Sequence, residues 1–278
     1  MSQHEPIVPV PDNKATQHDG ARHLAINNSW RYRDFTLLAL QSTARFYRCN
    51  GPCVPISKHL MVKIGPFVHL TEAATLKIVA DKTSIPVPHV YCSLAHKNQA
   101  FILMERIRGQ TLAEVWDGLS DTERESVLTQ LKRMTGDLRA IPSPPGTGIE
   151  SCVGGSLRDS RIPRCRPRMG PFKTVQVFHF WLRDYLRLEE HGTRQGDGDW
   201  QDVKEMVAKQ DEPWPAPVFT HEDLNPLNIL LYGNRVVGLV DWEFAGWHGK
   251  MRLPSSSIHT PEELRMEVTR QRYWGDVF

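Results

Sequence analysis

The residues best suited to chemistry lie late in the chain, in the run His221-Glu222-Asp223-Leu224-Asn225-Pro226-Leu227-Asn228 and at Asp241. Two apolar, strand-length runs, NILLY and RVVGLVDW, flank Gly233-Asn234. That pair suits a tight hairpin turn because both residues tolerate positive φ. Antiparallel strands meeting at 233–234 bring Asn228 and Asp241 together in register, and Asp223, on the loop feeding the first strand, points into the same space. Two carboxylates and a carboxamide converging there make an oxygen-rich, hard-ligand site of the kind that holds Mg²⁺ with several waters and phosphate oxygens. The same residue types also have an ordinary use, since Asp and Asn populate loops by bonding their own backbone.

The elements that must position these groups can be read from periodicity. LMVKIG (60–65) reads as a short strand, with VPISKHLMVKI as the second arm of a hairpin turning near Asn50-Gly51-Pro52. TEAATLKIVADKT is rich in helix formers and places Leu76, Val79 and Ala80 on one face, which predicts a helix from Thr71. Pro86 and Pro88 exclude a helix over 85–91, and AFILMERI (100–107) is a strand-length apolar run. Residues 112–117 suggest a short helix, and Ser120 with Glu123 forms a capping box opening a long one. The stripe Val127, Leu128, Leu131, Met134 and Leu138 marks its buried face, and Pro142 lies beyond its end. The stretch from Pro142 to Pro171 has no periodicity. A second amphipathic helix follows, with Val175, Phe178, Leu182, Tyr185 and Leu186 inward and its end in the Gly192–Asp199 region; VFT (218–220) reads as a strand. PEELRMEVTRQRY (261–273) predicts one more helix, capped by Thr260 with Pro261 at its first position. Strands thus cluster early, helices fill the middle and one hairpin comes late, which implies a small sheet-bearing lobe on a mostly helical one.

Composition narrows the function classes. The 278 residues carry 34 Lys+Arg against 32 Asp+Glu, so the basic surplus of a nucleic-acid binder is absent. No apolar run is long enough to span a membrane. The polar, Pro-interrupted N-terminus lacks the apolar stretch of a secretory signal, so residues 1–29 read as a disordered lead-in to a cytoplasmic protein. Five cysteines at irregular positions do not form a disulfide framework, and Cys49 and Cys53 lack a second ligand pair at zinc-finger spacing. Other catalytic motifs fail. Gly154-Gly155-Ser156-Leu157-Arg158 lacks the last glycine of a nucleophile elbow, Asn225 stands where a zincin needs its second His, and Gly246–Met251 has the wrong spacing for a P-loop. The basic run Arg158, Arg161, Arg164, Arg166, Arg168 and Lys173 reads as a solvated loop, with a mobile flap for an anionic acceptor as the alternative.

The order His221-x-Asp223-x4-Asn228, with Asp241 after a strand pair, resembles the catalytic loop and second metal-binding Asp of eukaryotic-type kinases. More specifically, HEDLNPLNILL…VVGLVDWEFAGW is similar to the aminoglycoside phosphotransferase and choline kinase-like family, particularly its fungal branch. MVKIGPFVHLTEA, SIPVPHVY, FILMERIRGQTLAEVW, LRAIPSP and GPFKTVQVFHFWL look like its upstream blocks in order, so the resemblance covers about residues 54–247. It implies an α+β, two-lobed protein-kinase-like fold: a small β-rich N-lobe over 30–105, and a mostly helical C-lobe over 106–278 with the catalytic loop and metal-binding hairpin. It further implies ATP and Mg²⁺ as cofactors and a small-molecule hydroxyl as acceptor.

Carried over by residue, the resemblance gives Lys63 the α/β phosphates of ATP and Glu72 the ion pair that aims it, where sequence alone would leave Lys63 an ordinary solvated strand lysine. The backbone between Glu105 and Ile107 would bond the adenine, with Met104 behind it or simply in the core. Asp223 becomes the catalytic base, Asn228 and Asp241 the metal ligands, and His221 a brace for the loop. Glu222 departs from the small residue usual in relatives and is expected to face solvent. A Gly-rich phosphate loop is not evident, Gly51 serving at most in part, and the chain after Trp247 departs from the family's continuation. The rival implication is therefore a kinase-like binding protein with weak or no turnover. Phosphorylation of protein side chains is disfavoured because the Asp-Phe-Gly and Ala-Pro-Glu signatures are missing.

Overall fold

The computed structural model describes residues 17, 18, 20–43, 46, 47, 51–162, 165, 167–188 and 198–249. Four antiparallel strands, β1 (Cys53–Pro55), β2 (Leu60–Gly65), β3 (Val90–His96) and β4 (Gln99–Glu105), form one sheet in the order β1-β2-β4-β3. Strand side chains alternate between faces, and β4 shows what that does here. Phe101 and Leu103 join Val62, Cys92 and Leu94 under helix α1 (Trp30–Ser42), whereas Ala100, Ile102 and Met104 enter the main core on the opposite face. Lys63 lies across from Ile102, so the same alternation turns this lysine inward against helix α2 (Leu70–Lys82). The stretch VPISKHLMVKI is not a single hairpin arm: a turn at 56–59 divides it, with Ser57 Oγ accepting the amides of His59 and Leu60.

Beyond the sheet, β5 (Gln110–Thr111) leads into the short helix α3 (Leu112–Val115), and the long helix α4 (Asp121–Arg139) follows. Both helices open with a complete capping box, Thr111 with Glu114 and Ser120 with Glu123. Along α4, Val127, Met134 and Leu138 are buried, but Leu128 is 53% exposed. Consecutive helical residues point about 100° apart, so Val127 and Leu128 cannot both face the core. Helix α5 (Val175–Leu182) also ends sooner than its apolar spacing implies. Asp184 and Tyr185 take positive φ, and the Tyr185 amide bonds the Phe180 carbonyl. Tyr185 and Leu186 therefore do not extend its buried face. Helix α6 (Gly198–Asp211), not anticipated from the sequence, is tied to the end of α5 by Arg183, which reaches Gln210 and Asp211.

Strand β6 (Val218–Thr220) pairs with β9 (Gly246–His248), a second element the sequence did not announce, while β7 (Ile229–Tyr232) and β8 (Arg235–Leu239) form the expected hairpin beside β5. Tyr232 pairs with Arg235, leaving Gly233-Asn234 as the turn, with Gly233 at φ 60°. The aperiodic stretch before α5 is pinned by the bridges Ile149–Phe172, Glu150–Trp247 and Leu157–Met169, and carries its own apolar cluster with Phe178 and Trp181. Part of the expected disordered lead-in is packed: Ala21–Leu24 form a 3₁₀ turn, Ala21 is in the main core, and the Ile26 carbonyl accepts the Ser93 amide. The predicted 261–273 helix and the residues Arg164, Arg166 and Cys49 lie outside the described residues.

Candidate active site

The inward-facing Lys63 ammonium is the hub of the site. Its Nζ donates to Glu72 Oε1 at 2.8 Å and to Asp241 Oδ1 at 2.6 Å. Lys63 and Glu72 are both buried, whereas the Asp241 side chain is 40% exposed. Glu72 sits in the first turn of α2, where helix geometry aims its carboxylate at β2. Burial works against the Lys63 charge, but the Glu72, Asp241 and Glu243 carboxylates outweigh it and hold the ammonium well above its ordinary range. Burial pushes the Glu72 carboxyl up to about 7 even with that ammonium beside it.

The hairpin delivers the remaining groups. The Val240 amide donates to the Asn228 carbonyl at 3.0 Å, which sets Asn228 beside Asp241. Asn228 Nδ2 in turn donates to both the carbonyl and Oδ2 of Asp223, each at 2.9 Å. The buried His221 bonds the Val240 carbonyl through Nε2 at 3.0 Å and accepts the Asp223 amide on Nδ1. This pattern assigns its proton to Nε2. Burial lowers the His221 pKa, so the ring is neutral and braces one loop against the other. Trp242 packs beside it and anchors through Nε1 to the Leu239 carbonyl. Asp241 itself has φ 63°, an unfavourable region for a residue with a Cβ.

Met104 lies buried in the main core, and the amides of Glu105 and Arg106 already donate to the carbonyls of His89 and His59. Two other expectations are corrected. Glu222 does not face solvent: its side chain is 10% exposed, Thr220 Oγ1 donates to its Oε1 at 2.6 Å, and Arg161 lies 3.8 Å from Oε2. Nor are the described arginines of the basic run solvated, although Lys173 at its end is exposed. Arg158 bonds the Phe67 carbonyl and Glu243, Arg161 pairs with the fully buried Asp159, and Arg168 is buried against Ser156 and Thr71. Sequence reasoning missed Asp159 and Glu243 as the partners of these arginines. For Asp159 the available signal was its place between Arg158 and Arg161 as the one acid of the run; Glu243, far along the chain, gave none.

The donor set can be tested against a metal. Asn228 Nδ2 is committed to Asp223, which leaves Asn228 Oδ1 and the Asp241 carboxylate as hard oxygen donors. Among the described residues no group of three or more His, Cys, Asp and Glu side chains forms a cage. Two side-chain oxygens suit an ion that takes its other ligands from phosphate and water, as Mg²⁺ does. Among the described residues no helix is long and apolar enough to cross a membrane.

A four-stranded antiparallel sheet with an inward lysine and a helix-borne acid, set on a helical region whose hairpin presents Asn and Asp, defines a kinase-like, two-lobed α+β protein. The chain belongs to the phosphotransferase enzyme family, whose model matches residues 68–248. Among solved structures it is similar to a thermostable mutant of aminoglycoside phosphotransferase APH(4)-Ia in ternary complex with ADP and hygromycin B, with 13% identity over 88% of this chain and 82% of that one and a TM-score of 0.50. It is also similar to aminoglycoside phosphotransferase APH(2'')-IIa in complex with gentamicin, with 13% identity over 91% and 84% of the two chains and a TM-score of 0.49. No curated protein sequence matches the chain.

Proposed function

We propose that the protein transfers the γ-phosphoryl group of ATP to a hydroxyl of a small molecule. The observation that carries this reading is the meeting of Lys63, Glu72 and Asp241 through one ammonium, at 2.8 and 2.6 Å, beside the Asp223–Asn228 pair. Lys63 holds the α/β phosphates and Glu72 aims it. Asp223 Oδ positions the acceptor hydroxyl and takes its proton as the oxygen attacks phosphorus in line. Asn228 and Asp241 would hold Mg²⁺, which when bound neutralises charge on the phosphate oxygens. Because the Glu105 and Arg106 amides are engaged, the Ile107 amide and the Glu105 carbonyl remain as the donor and acceptor for adenine, with Met104 behind. Hydroxyl-rich small molecules are the first acceptors to try, since a structure of the same fold holds hygromycin B.

A ligand that binds only the folded state raises its melting temperature by mass action. Millimolar Mg-ATP is therefore expected to raise the melting temperature of the wild type and to raise that of Asp241→Asn less. Asp223→Ala is expected to retain the shift and to lose product formation from labelled ATP by about 10²- to 10⁴-fold, the range typical of a removed general base. No shift in the wild type contradicts nucleotide binding. A shift with no product for any acceptor, water included, would make the protein a kinase-like binder instead.

A further inference from the structure

The stretch between α4 and α5 touches both loops of the candidate site, and we infer that Arg161 is a positioning residue: it clamps Glu222 in a left-handed backbone conformation and thereby sets the carboxylate of Asp223. Glu222 has φ 62°, a region where the Cβ of an L-residue crowds the following carbonyl. Something must hold it there. Arg161 Nη1 donates to the Glu222 carbonyl at 2.7 Å, and the same guanidinium faces the Glu222 carboxylate at 3.8 Å. Asp159, wholly buried, fixes that guanidinium in a two-pronged grip: Nε to Oδ1 at 2.8 Å and Nη2 to Oδ2 at 2.7 Å. The planar fork of arginine matches this geometry, and the single charge of a lysine would not.

The guanidinium also lies over the Phe244 ring at 5.3 Å, just past Asp241, and Arg158 reaches Glu243 Oε2 at 3.3 Å and the Phe67 carbonyl at 2.9 Å. One short segment thus braces the loop before Asp223, the loop after Asp241 and the turn ahead of α2. Asp223 follows Glu222 directly, so any rotation of the Glu222 backbone swings its carboxylate. Arg161 therefore acts through the chain, and no role in touching the substrate is assigned to it. This gives the carboxylate at 222 and the arginines at 158 and 161 one shared role.

The inference rests on the phosphotransferase reading, so two readouts separate the failure of one from the failure of the other. The variant Asp159→Asn/Arg161→Gln removes both charges of this pair together, so neither partner is left as a lone buried ion, and Glu222 keeps its hydrogen bond from Thr220 Oγ1. Hydrogen exchange of the amides over 221–228 is expected to accelerate at least about tenfold in it while α4 is unchanged. Unchanged exchange overturns the clamp whether or not the protein turns over ATP. In Mg-ATP turnover with water as acceptor, the same variant is expected to lose about tenfold or more in kcat with KM for ATP within about twofold. Adding Glu222→Gly is expected to recover most of that loss, because glycine adopts φ near 62° unaided and buries no carboxylate. A KM that rises in step with the lost rate, or no recovery with glycine, overturns the proposal. A wild type that releases no ADP removes the phosphotransferase reading alone, and the exchange measurement then decides the clamp.

Discussion

Glu72 carries two demands that pull in opposite directions. Its Oε1 accepts from Lys63, but its Oε2 is buried with no hydrogen-bond partner among the described residues, and an unpaired buried carboxylate oxygen is costly. Burial accordingly raises its pKa from 4.5 to about 7. An acid whose folded pKa lies above its unfolded value binds more protons folded than unfolded between the two, so its contribution to stability falls as pH rises from 4.5 to 7. Glu72→Gln keeps the Oε1 acceptor and never ionises. Relative to wild type it is expected to gain stability across that window, by at most about 1.4 kcal/mol per pH unit, and to hold the gain above pH 7. Its ATP turnover should fall on the order of tenfold, because Lys63 is then drawn by Asp241 alone. Urea unfolding at pH 5 and pH 7.5 checks the first effect and ADP release the second; a variant less stable at pH 7.5 than at pH 5, relative to wild type, contradicts the assignment. The acid that would aim the lysine is thus a liability to the fold.

At the scale of elements, close approach sets what each position tolerates. In β9, a Cβ on Gly246 would lie 2.5 Å from Leu157 Cδ2 and 2.6 Å from the Glu150 carbonyl oxygen. The neighbour is the backbone of the stretch that carries Arg158 and Arg161, so it cannot rotate away. Gly246→Ala is expected to destabilise by about 1–3 kcal/mol, the usual cost of overpacking. Gly136, in α4, would present its Cβ to open space, and Gly136→Ala is expected to stabilise by about 1 kcal/mol on helix propensity. Urea midpoints of the two variants should therefore move in opposite directions, and a shared direction would contradict this packing account. The same contrast explains what the sequence made legible. The β7–β8 hairpin and the Ser120 cap rest on local signals, a two-residue turn and a box of fixed spacing, whereas the inward Lys63 is reached only through the family resemblance, since by itself it reads as a solvated strand lysine. Strand β9 exists only because β6 lies beside it. Glu222 is buried only because Arg161 arrives from a stretch without periodicity, and α5 stops at Leu182 although Tyr185 and Leu186 continue its apolar spacing. Such features are decided by tertiary contacts that no short window contains.

Across the whole molecule, the main core runs without a break from α2 and the inner sheet face to Trp242 and Trp247, so titrations in either part bear on one fold. Three histidines are buried neutral. His69 bonds the Gln17 carbonyl and stacks on His18, His179 packs against Trp214, and His221 braces the hairpin. Burial lowers His69 from 6.5 to about 3 and His179 from 6.5 to about 4, and lowers His221 as well. Below pH 6.5 the unfolded chain takes up protons that the folded chain refuses, so each histidine removes stability as pH falls toward its folded pKa. Glu72 acts in the opposite direction over part of the same range. Between pH 6 and 5, His69 and His179 release about two protons on folding and Glu72 takes up about one, so these histidines outweigh Glu72 by about 1.4 kcal/mol per pH unit; His221 adds to that, and the Glu243 and Glu150 carboxyls, raised by burial, act with Glu72. Stability is expected to peak near neutrality and to decline through pH 5, with a steeper decline in Glu72→Gln, where the opposing proton is absent. Urea midpoints measured from pH 7.5 to 5 test this, and a midpoint that rises toward pH 5 would contradict the dominance of the histidines over the raised carboxyls.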